Sequence, residues 1–493
     1  MAYDPGLEPA GPTEGEDGVG PRPFSERPSM SETPRQAEAG RFARFRGAVS
    51  TASLGRSPLW LAIEAGLLLR ILAANIVEWR VSRGGGTRVC LFPDAEYYWK
   101  LAQTIRDGAL FQIVEWGDIP HFALRTPGYP LFLAGCRMIA GDRPLGARLI
   151  QAGLGALTVW LVYRLTRTVF ANDHNAGETN SGGERLALIA AGLAAVHPYF
   201  VFTSALLLSE AVFIPLMLVS LWGGAALWNR RDGEKGIAGP ALVVGLASGA
   251  AVLTRPSWVL FPLLMLGAWF GFRWLAGRSL RPALGAGLIA AVGFVVVMGP
   301  WWVRNARLYG EFVPTALWMG ASLYDGLNPN ATGASDMRFL GDPEIWPLDE
   351  RGQNDELKRR ALAFVRAEPG RALRLAIVKL GRYWSPWPNA EGLRSPLVAI
   401  ASGLVMIPLL SLIALGIWLR RDCPPAWILL AGPLLYFCCV HMIFASSMRY
   451  RTPAEVPAMG LAAAGLVRVF RGRAGVDHPT PPGESEENLR QFP

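Results

Sequence analysis

Ten apolar segments, each about one membrane span long, alternate with short polar or basic loops along the central part of the chain. They cover residues 58–77, 145–163, 186–203, 211–228, 237–254, 257–272, 282–303, 396–419, 425–444 and 454–470. A helix that crosses the hydrocarbon core of a bilayer needs roughly 20 mostly apolar residues. The pattern therefore predicts an all-α polytopic membrane protein, built as a helix bundle of about ten spans.

An eleventh apolar stretch, residues 129–140, is too short for a span and contains Arg137. Segments of this length more often lie at the interface or re-enter from one side. Basic residues in short loops favour the cytoplasmic side. The basic loops all fall on the cytoplasmic side, together with the basic N-terminal tail, only if 129–140 does not cross the membrane. These loops contain Arg164, Arg167, Arg185, Arg230, Arg231, Lys235, Arg273, Arg278, Arg281, Arg420, Arg421, Arg468, Arg471 and Arg473.

This topology places both termini in the cytoplasm and two large loops on the outer side. Residues 1–57 are rich in Pro, Gly, Glu, Ser and Arg, a composition typical of disordered chains. The expected organisation is a disordered cytoplasmic tail (1–57), a membrane catalytic module (58–303) that includes the first outer loop (78–144), a large outer loop (304–395), C-terminal spans (396–470) and a second cytoplasmic tail (471–493).

Helical patterns are expected inside both outer loops. In the first, Asp94 is predicted to be the N-cap of a short amphipathic helix that ends at Gly108. In the second, two helical patterns at 355–367 and 370–383 are separated by Pro369. The Trp384-Ser385-Pro386-Trp387 segment that follows indicates anchoring at the membrane surface.

Composition excludes several classes of protein. With 51% hydrophobic and 18% charged residues, the chain is too apolar for an ordinary soluble enzyme. The net charge of +9 comes from arginines and lysines beside apolar runs, where they set topology and contact anionic lipid, so no nucleic-acid partner is expected. The cysteines lack the spacing of a zinc site or a disulfide framework. We therefore predict no metal site and no obligatory cofactor.

Three carboxylates are candidates for catalysis because they lie near the outer ends of apolar segments. Asp94 and Glu96 are in the first outer loop, and Glu210 begins a span. A carboxylate in such a place can take the proton from an acceptor hydroxyl or amine. The structural alternative is that Asp94 and Glu210 cap helices and that Glu96 interacts with a helix dipole.

Five arginines are candidates for binding an anionic group at the same face. They run against the positive-inside bias, which a purely structural role does not explain. Guanidinium groups bind phosphate with two parallel hydrogen bonds. Singly, each could instead set topology or contact lipid headgroups. The five are Arg125, Arg255, Arg304, Arg449 and Arg451.

Six motifs in chain order resemble those of bacterial family-39 glycosyltransferases. They are FPDAEYYWKLAQTIRDG, LRTPGYPLFLAG, LLLSE, LASGAAVLTRP, GPWWVRNARLYGEFVP and MRYRTPAEVP. That group is similar to protein O-mannosyltransferases and to the aminoarabinose transferase that modifies lipid A, which share the GT-C membrane fold. The resemblance covers about residues 58–470 and implies a GT-C fold for this chain.

The resemblance also implies an activity and roles for some residues. The donor would be a polyprenyl-phosphate sugar and the transfer would be inverting. The catalytic acidic residue would be Asp94, acting as the base. The chain departs from its relatives in having Ala95 between Asp94 and Glu96, where relatives often carry adjacent acids. Arg125 matches a basic position near the donor phosphate, Glu210 an acid at the start of the corresponding span, and Arg449 a phosphate clamp.

The expected partners are therefore the lipid-linked sugar, membrane lipid and an acceptor protein, lipid or glycan. We expect the protein in a bacterial inner or plasma membrane, with the site on the outer face. Two other classes compete with this interpretation. A transporter or flippase for a lipid-linked or anionic substrate would show repeat symmetry or charges at the bilayer midplane. A non-catalytic scaffold would not need arginines that oppose the topology bias.

Overall fold

The computed structural model describes residues 57–83, 90–108, 111–115, 119–171, 181–230, 236–389 and 395–474. Nearly all of the two predicted tails lies outside these ranges. So do Arg231 and Lys235 of one predicted cytoplasmic loop.

Sixteen helices and one two-stranded hairpin are labelled here in chain order. Short 3-10 turns at Pro256–Trp258 and Met337–Gly341 are left unlabelled, as are a helical turn at Pro424–Ala426 and a π-helical turn at Trp427–Ala431. The labelled elements are α1 (Pro58–Ser82), α2 (Pro93–Arg106), β1 (Ile113–Glu115), β2 (Ile119–His121), α3 (Gly128–Ala140), α4 (Pro144–Val169), α5 (Ser181–Val196), α6 (Pro198–Ala205), α7 (Glu210–Trp228), α8 (Ala238–Thr254), α9 (Phe261–Leu275), α10 (Arg281–Tyr309), α11 (Met319–Gly326), α12 (Glu350–Ala367), α13 (Pro369–Trp384), α14 (Pro396–Leu419), α15 (Gly432–Ile443) and α16 (Met448–Ala474).

The helices account for every predicted span. Within the described residues, eight helices are long and apolar enough to cross a membrane. The bent pair α5–α6 can form a ninth span, and the shorter apolar α8 matches the remaining predicted segment. In hydrocarbon every backbone N–H and C=O needs a partner within the protein, and helices satisfy this locally. The prediction of a multi-pass helix bundle with about ten spans is confirmed.

The predicted span 186–203 is bent by 54° where α5 ends and α6 begins at Pro198. Proline lacks an N–H, so carbonyls of the preceding turn lose their helical donors. The Arg70 side chain of α1 replaces these donors, with Nη2 3.2 Å from the oxygen of Ala194 and Nη1 3.1 Å from that of Ala195. Arg70 therefore stabilises the bend between α5 and α6.

Glycine allows pairs of spans to approach closely. A Cβ added at Gly245 of α8 would lie 2.1 Å from the carbonyl oxygen of Ala290 of α10. A Cβ added at Gly416 of α14 would lie 2.0 Å from the carbonyl oxygen of Leu461 of α16. Small residues at such crossings are typical of membrane helices, which associate through close packing.

The segment predicted to stay on one side of the membrane forms α3, a 13-residue helix. At 1.5 Å per residue it is about 20 Å long, shorter than a hydrocarbon core of about 30 Å. It packs against α2, α4 and α8. The first outer loop thus places two short helices, α2 and α3, against the end of the bundle.

The two loops predicted to lie on the outer side, 78–144 and 304–395, keep the names first and second outer loop. They contain the predicted helices and one element that was not predicted from the sequence. The helices α12 and α13 meet at Pro369, as expected. The addition is the antiparallel hairpin of β1 and β2, in which Val114 pairs with Pro120. Strands of three residues are too short to produce a recognisable alternation of polar and apolar positions.

Candidate functional site

Five charged side chains from distant parts of the sequence meet at one end of the bundle. Asp94 lies in the first turn of α2, Glu210 begins α7, Arg255 follows the last residue of α8, and Arg449 is the second residue of α16. Arg125 lies between β2 and α3. The alternating direction of successive spans brings these helix ends to one side. We call these five side chains the charged cluster.

Asp94 pairs with two arginines and is partly open to solvent. Its Oδ2 lies 3.3 Å from Nη1 of Arg449, and its Oδ1 lies 3.7 Å from Nη2 of Arg125. The side chain is 44% exposed. The N-cap of α2 is Phe92, not Asp94 as the helix pattern predicted, because Pro93 occupies the first helical position. Asp94 is therefore free of a capping bond and points at the arginines.

Glu210 is the enclosed partner in the cluster, with a side chain only 1% exposed. Its Oε1 accepts from Nε of Arg449 at 3.0 Å and lies 3.1 Å from Nη1 of Arg255. Among the described residues, its Oε2 has no hydrogen-bond partner. A buried carboxylate needs cationic partners such as these two arginines, since an unpaired buried charge is costly. The single guanidinium of Arg449 thus joins Asp94 to Glu210.

Aromatic rings surround the arginines of the cluster. The Arg125 guanidinium lies 4.7 Å from the ring centre of Trp318 and 5.9 Å from that of Tyr98. The Arg255 guanidinium lies 5.7 Å from the ring centre of Tyr450. Cations at this range are attracted to the faces of aromatic rings. Burial raises the pKa of the Tyr98 phenol, so this group stays protonated near neutral pH.

The charges of the cluster do not cancel. Three guanidinium groups face two carboxylates when all are ionised, which leaves one positive charge in excess. Each arginine still presents a planar group with several N–H donors. Such a site can accept an anionic group, and a phosphate ester fits the forked geometry of guanidinium.

Three predicted site residues make described bonds to groups outside the charged cluster. Oε1 of Glu96 accepts the backbone N–H of Cys90 at 2.5 Å. Arg304 donates to the carbonyl oxygens of Phe122 at 2.8 Å and Phe111 at 3.0 Å. Both side chains therefore support the backbone of the first outer loop.

Arg451, the third of these residues, is fully buried beside the C-terminus of α13. It pairs with Glu455 one turn further along α16. Its Nη1 donates to the carbonyl oxygens of Tyr383 at 2.5 Å and Ser385 at 3.0 Å. Arg451 therefore joins α16 to the second outer loop.

The second outer loop also holds the turn that precedes Arg449. Nζ of Lys379 donates to the carbonyl oxygen of Ile443 at 2.6 Å, and Nε of Arg382 donates to that of Ser446 at 3.1 Å. The Ser446 hydroxyl donates a hydrogen bond to the carbonyl oxygen of Lys379 at 2.9 Å. These bonds fix where α16 begins, and so where Arg449 stands.

Sequence reasoning missed the aromatic members of the site. Tyr98 lies four residues after Asp94, a spacing that puts both on one face of a helix and could have identified it. Tyr450 lies between the two predicted arginines of α16. Trp318 had no local signal, because it reaches Arg125 from the second outer loop. No group of three or more potential metal ligands occurs among the described residues.

Comparison with known proteins links this geometry to a fold class. A family model described as dolichyl-phosphate-mannose-protein mannosyltransferase matches residues 124–302. The archaeal oligosaccharyltransferase AglB from Archaeoglobus fulgidus, in complex with an inhibitory peptide and a dolichol-phosphate, is similar with a TM-score of 0.54. The chain has the GT-C fold. The predicted fold is confirmed, and the family match includes Arg125, Glu210 and Arg255 of the cluster.

The GT-C similarity is structural, since sequence identity to AglB is 16%. It covers 84% of this chain but only 50% of AglB, so this chain spans about half the length of that protein. The A. fulgidus oligosaccharyltransferase tethered to an acceptor peptide gives a TM-score of 0.53 at 15% identity, with the same coverage of each chain. ArnT from Cupriavidus metallidurans bound to undecaprenyl phosphate gives 0.43 at 14% identity, covering 84% of this chain and 79% of that one. A search of curated proteins gives no match.

Proposed function

We propose that this protein is a membrane glycosyltransferase that moves a sugar from a polyprenyl-phosphate donor to an acceptor on the outer face of the membrane. The observation that carries the proposal is the bridge formed by Arg449 between Asp94 and Glu210. The bridge puts an accessible carboxylate next to arginines at the end of a membrane bundle. Activation of an acceptor and binding of a lipid-linked phosphate can then occur at one site.

The arginines of the charged cluster bind the donor phosphate in this scheme. Arg255 and Arg449 converge on one oxygen of Glu210, and Arg125 and Arg449 pair with different oxygens of Asp94. Their excess positive charge stabilises the negative charge that develops on the leaving phosphate. We leave Arg304 and Arg451 out of the phosphate-binding set, because they donate to backbone carbonyls.

The transfer step needs one base. The acceptor hydroxyl oxygen attacks the anomeric carbon on the face opposite the phosphate, which inverts the configuration. The bond between that carbon and the phosphate oxygen breaks, and polyprenyl phosphate leaves with the electron pair. Asp94 takes the hydroxyl proton, since its side chain is accessible while that of Glu210 is enclosed. Glu210 holds Arg255 and Arg449 in place.

Two further observations support the proposal. The family model that matches this chain describes a mannosyltransferase that uses a dolichyl-phosphate sugar. The similar AglB structure contains a dolichol-phosphate and a peptide. By analogy, the partners here are a polyprenyl-phosphate sugar, membrane lipid and an acceptor protein, lipid or glycan. The basic residues Arg230, Arg278 and Arg420 follow the opposite ends of the spans, which favours an outer-facing site in a bacterial inner or plasma membrane.

Substitution of Asp94 by asparagine tests the role of the base. Asparagine keeps the size and the hydrogen-bonding oxygen but cannot accept the proton. We expect Asp94→Asn to fold and to lose about 10²- to 10⁴-fold in transfer rate. The matched control is Asp107→Asn at the other end of α2, where the carboxylate pairs with the neighbouring Arg106. Near-normal transfer by Asp94→Asn would remove Asp94 as the base.

A further inference from the structure

The short segment that ends at Arg125 is bonded to the second outer loop and to the end of α10. The N–H of Leu317 donates to the carbonyl oxygen of Ala123 at 2.8 Å. Nε2 of His121 lies 3.3 Å from Oε1 of Gln353. These contacts join parts of the chain that are far apart in sequence. They occur two to four residues before the arginine that pairs with Asp94.

Glu350 makes the strongest of these connections. It begins α12, and it is buried with 5% exposure. Its Oε2 accepts the backbone N–H of Phe122 at 2.7 Å, and its Oε1 accepts that of Ala123 at 2.9 Å. The hydroxyl of Tyr309 also donates to Oε2. Hydrogen bonds to a charged acceptor are stronger than neutral ones.

The peptide groups of Phe122 are therefore held from two sides. Glu350 accepts the N–H, and Arg304 donates to the carbonyl oxygen of the same residue at 2.8 Å. Trp318, on the second outer loop, then contacts the Arg125 guanidinium itself. Glu350 and Arg304 therefore restrict the backbone position from which the Arg125 side chain extends, and Trp318 restricts the orientation of its guanidinium.

We infer that Glu350 and Arg304 are positioning residues that hold Arg125 in the charged cluster by clamping the backbone of Phe122. The inference rests on the proposed function, in which Arg125 binds the donor phosphate. It gives the second outer loop a task in the reaction, namely preorganising a group supplied by the first. It also gives a reason for Arg304 to oppose the topology bias without touching the donor. Groups that act on a transition state must be held closely, because a displacement of about 1 Å can cost about 10²-fold in rate.

Backbone hydrogen exchange tests the clamp without reference to activity. The probe is the full-length protein in lipid nanodiscs, as wild type and as Glu350→Gln. Glutamine has one acceptor oxygen where the carboxylate has two, and its NH₂ would face N–H or O–H donors. We expect exchange in the peptide covering 119–125 to rise at least about 10-fold, with little change in the spans. Unchanged exchange in this peptide would overturn the clamp.

The matched control is Glu356→Gln on the same helix. Glu356 pairs with Arg359 and Arg360, both on α12. The substitution therefore removes a negative charge from the same helix at a carboxylate whose ion pairs lie within that helix. It should leave both exchange in that peptide and transfer near the wild-type values. If Glu356→Gln raised exchange or lowered transfer as much as Glu350→Gln, any loss of charge from α12 would have this effect. That result would overturn a specific role of Glu350 in positioning Arg125.

A double-mutant cycle tests whether Glu350 acts through Arg125. Transfer is measured for Glu350→Gln, Arg125→Ala and the double variant, with kcat and donor KM separated. We expect Glu350→Gln to lower kcat/KM by about 10- to 100-fold and to change the same constant as Arg125→Ala. The double variant should be no worse than Arg125→Ala alone, since coupled groups are not additive. Losses that multiply would contradict action through Arg125.

The two measurements keep the clamp and the proposed function apart. If wild-type protein transfers no sugar from any donor tried, the proposed function has failed. Hydrogen exchange at 119–125 then still decides whether Glu350 holds this segment. If wild type and Glu350→Gln transfer sugar at the same rate, Glu350 does not position Arg125 for the reaction, and the proposed function stands.

Discussion

At the scale of single residues, Arg449 pairs with both carboxylates of the charged cluster. It bridges the accessible Asp94 and the enclosed Glu210, so its removal leaves a buried carboxylate with Arg255 alone. Breaking a buried ion pair from one side typically costs about 3–5 kcal/mol. We expect Arg449→Ala to lose thermal stability and to bind polyprenyl phosphate at least about 10-fold more weakly.

Arg449→Lys separates charge from geometry in the same experiment. Lysine restores the positive charge but lacks the planar fork, so binding should recover only partly. Affinity for polyprenyl phosphate and the unfolding temperature are measured for both variants. If Arg449→Ala binds polyprenyl phosphate as tightly as wild type, this arginine is not a phosphate ligand.

Residue type and position along the chain were enough to identify five members of the charged cluster. A charged side chain at the end of an apolar segment lies at the membrane surface on that side. Asp94, Glu210 and Arg449 could therefore be expected to lie on the same face of the bundle. The backbone carbonyls that Arg304 and Arg451 contact could not be predicted. A carbonyl is present at every residue, so no sequence signal marks the one that accepts the hydrogen bond.

At the scale of elements, packing between spans depends on small side chains at the crossings. Gly245→Ala would place a methyl group against the carbonyl of Ala290 and push α8 away from α10. Overpacking of this kind costs about 1–3 kcal/mol. We therefore expect a lower unfolding temperature in detergent.

Gly239→Ala on the same helix is the control for that substitution. A Cβ at Gly239 has no atom within 4 Å in the described structure, and alanine is the better helix former. Its unfolding temperature should match or slightly exceed that of wild type. Equal losses at Gly245 and Gly239 would contradict the close crossing of α8 and α10.

The existence of the spans could be read from hydropathy, because a bilayer demands long apolar runs. The bend at Pro198 and the hairpin in the first outer loop could not. The bend is stabilised by hydrogen bonds from Arg70 of another helix, and each strand of the hairpin has only three residues. Both depend on partners that lie far away in the sequence.

At the scale of the whole molecule, the proposed function requires the charged cluster to face the outside of the membrane. A cysteine-free background is needed, since the chain has five cysteines. A cysteine introduced at Arg338, whose side chain is 90% exposed on the second outer loop, should react with an impermeant reagent added to intact cells. One introduced at Arg278, between α9 and α10, should react only after permeabilisation. The reverse pattern would place the charged cluster in the cytoplasm.

Glycosyl transfer is tested most directly by following both the sugar and the lipid phosphate of the donor. Purified wild-type protein in liposomes is given polyprenyl-phosphate sugars with label in the sugar and in the lipid phosphate, together with hydroxyl acceptors. We expect sugar to appear on the acceptor with inverted configuration, and one free polyprenyl phosphate to be released for each sugar transferred. An intact donor that is moved between leaflets without cleavage would contradict glycosyl transfer and identify a flippase instead.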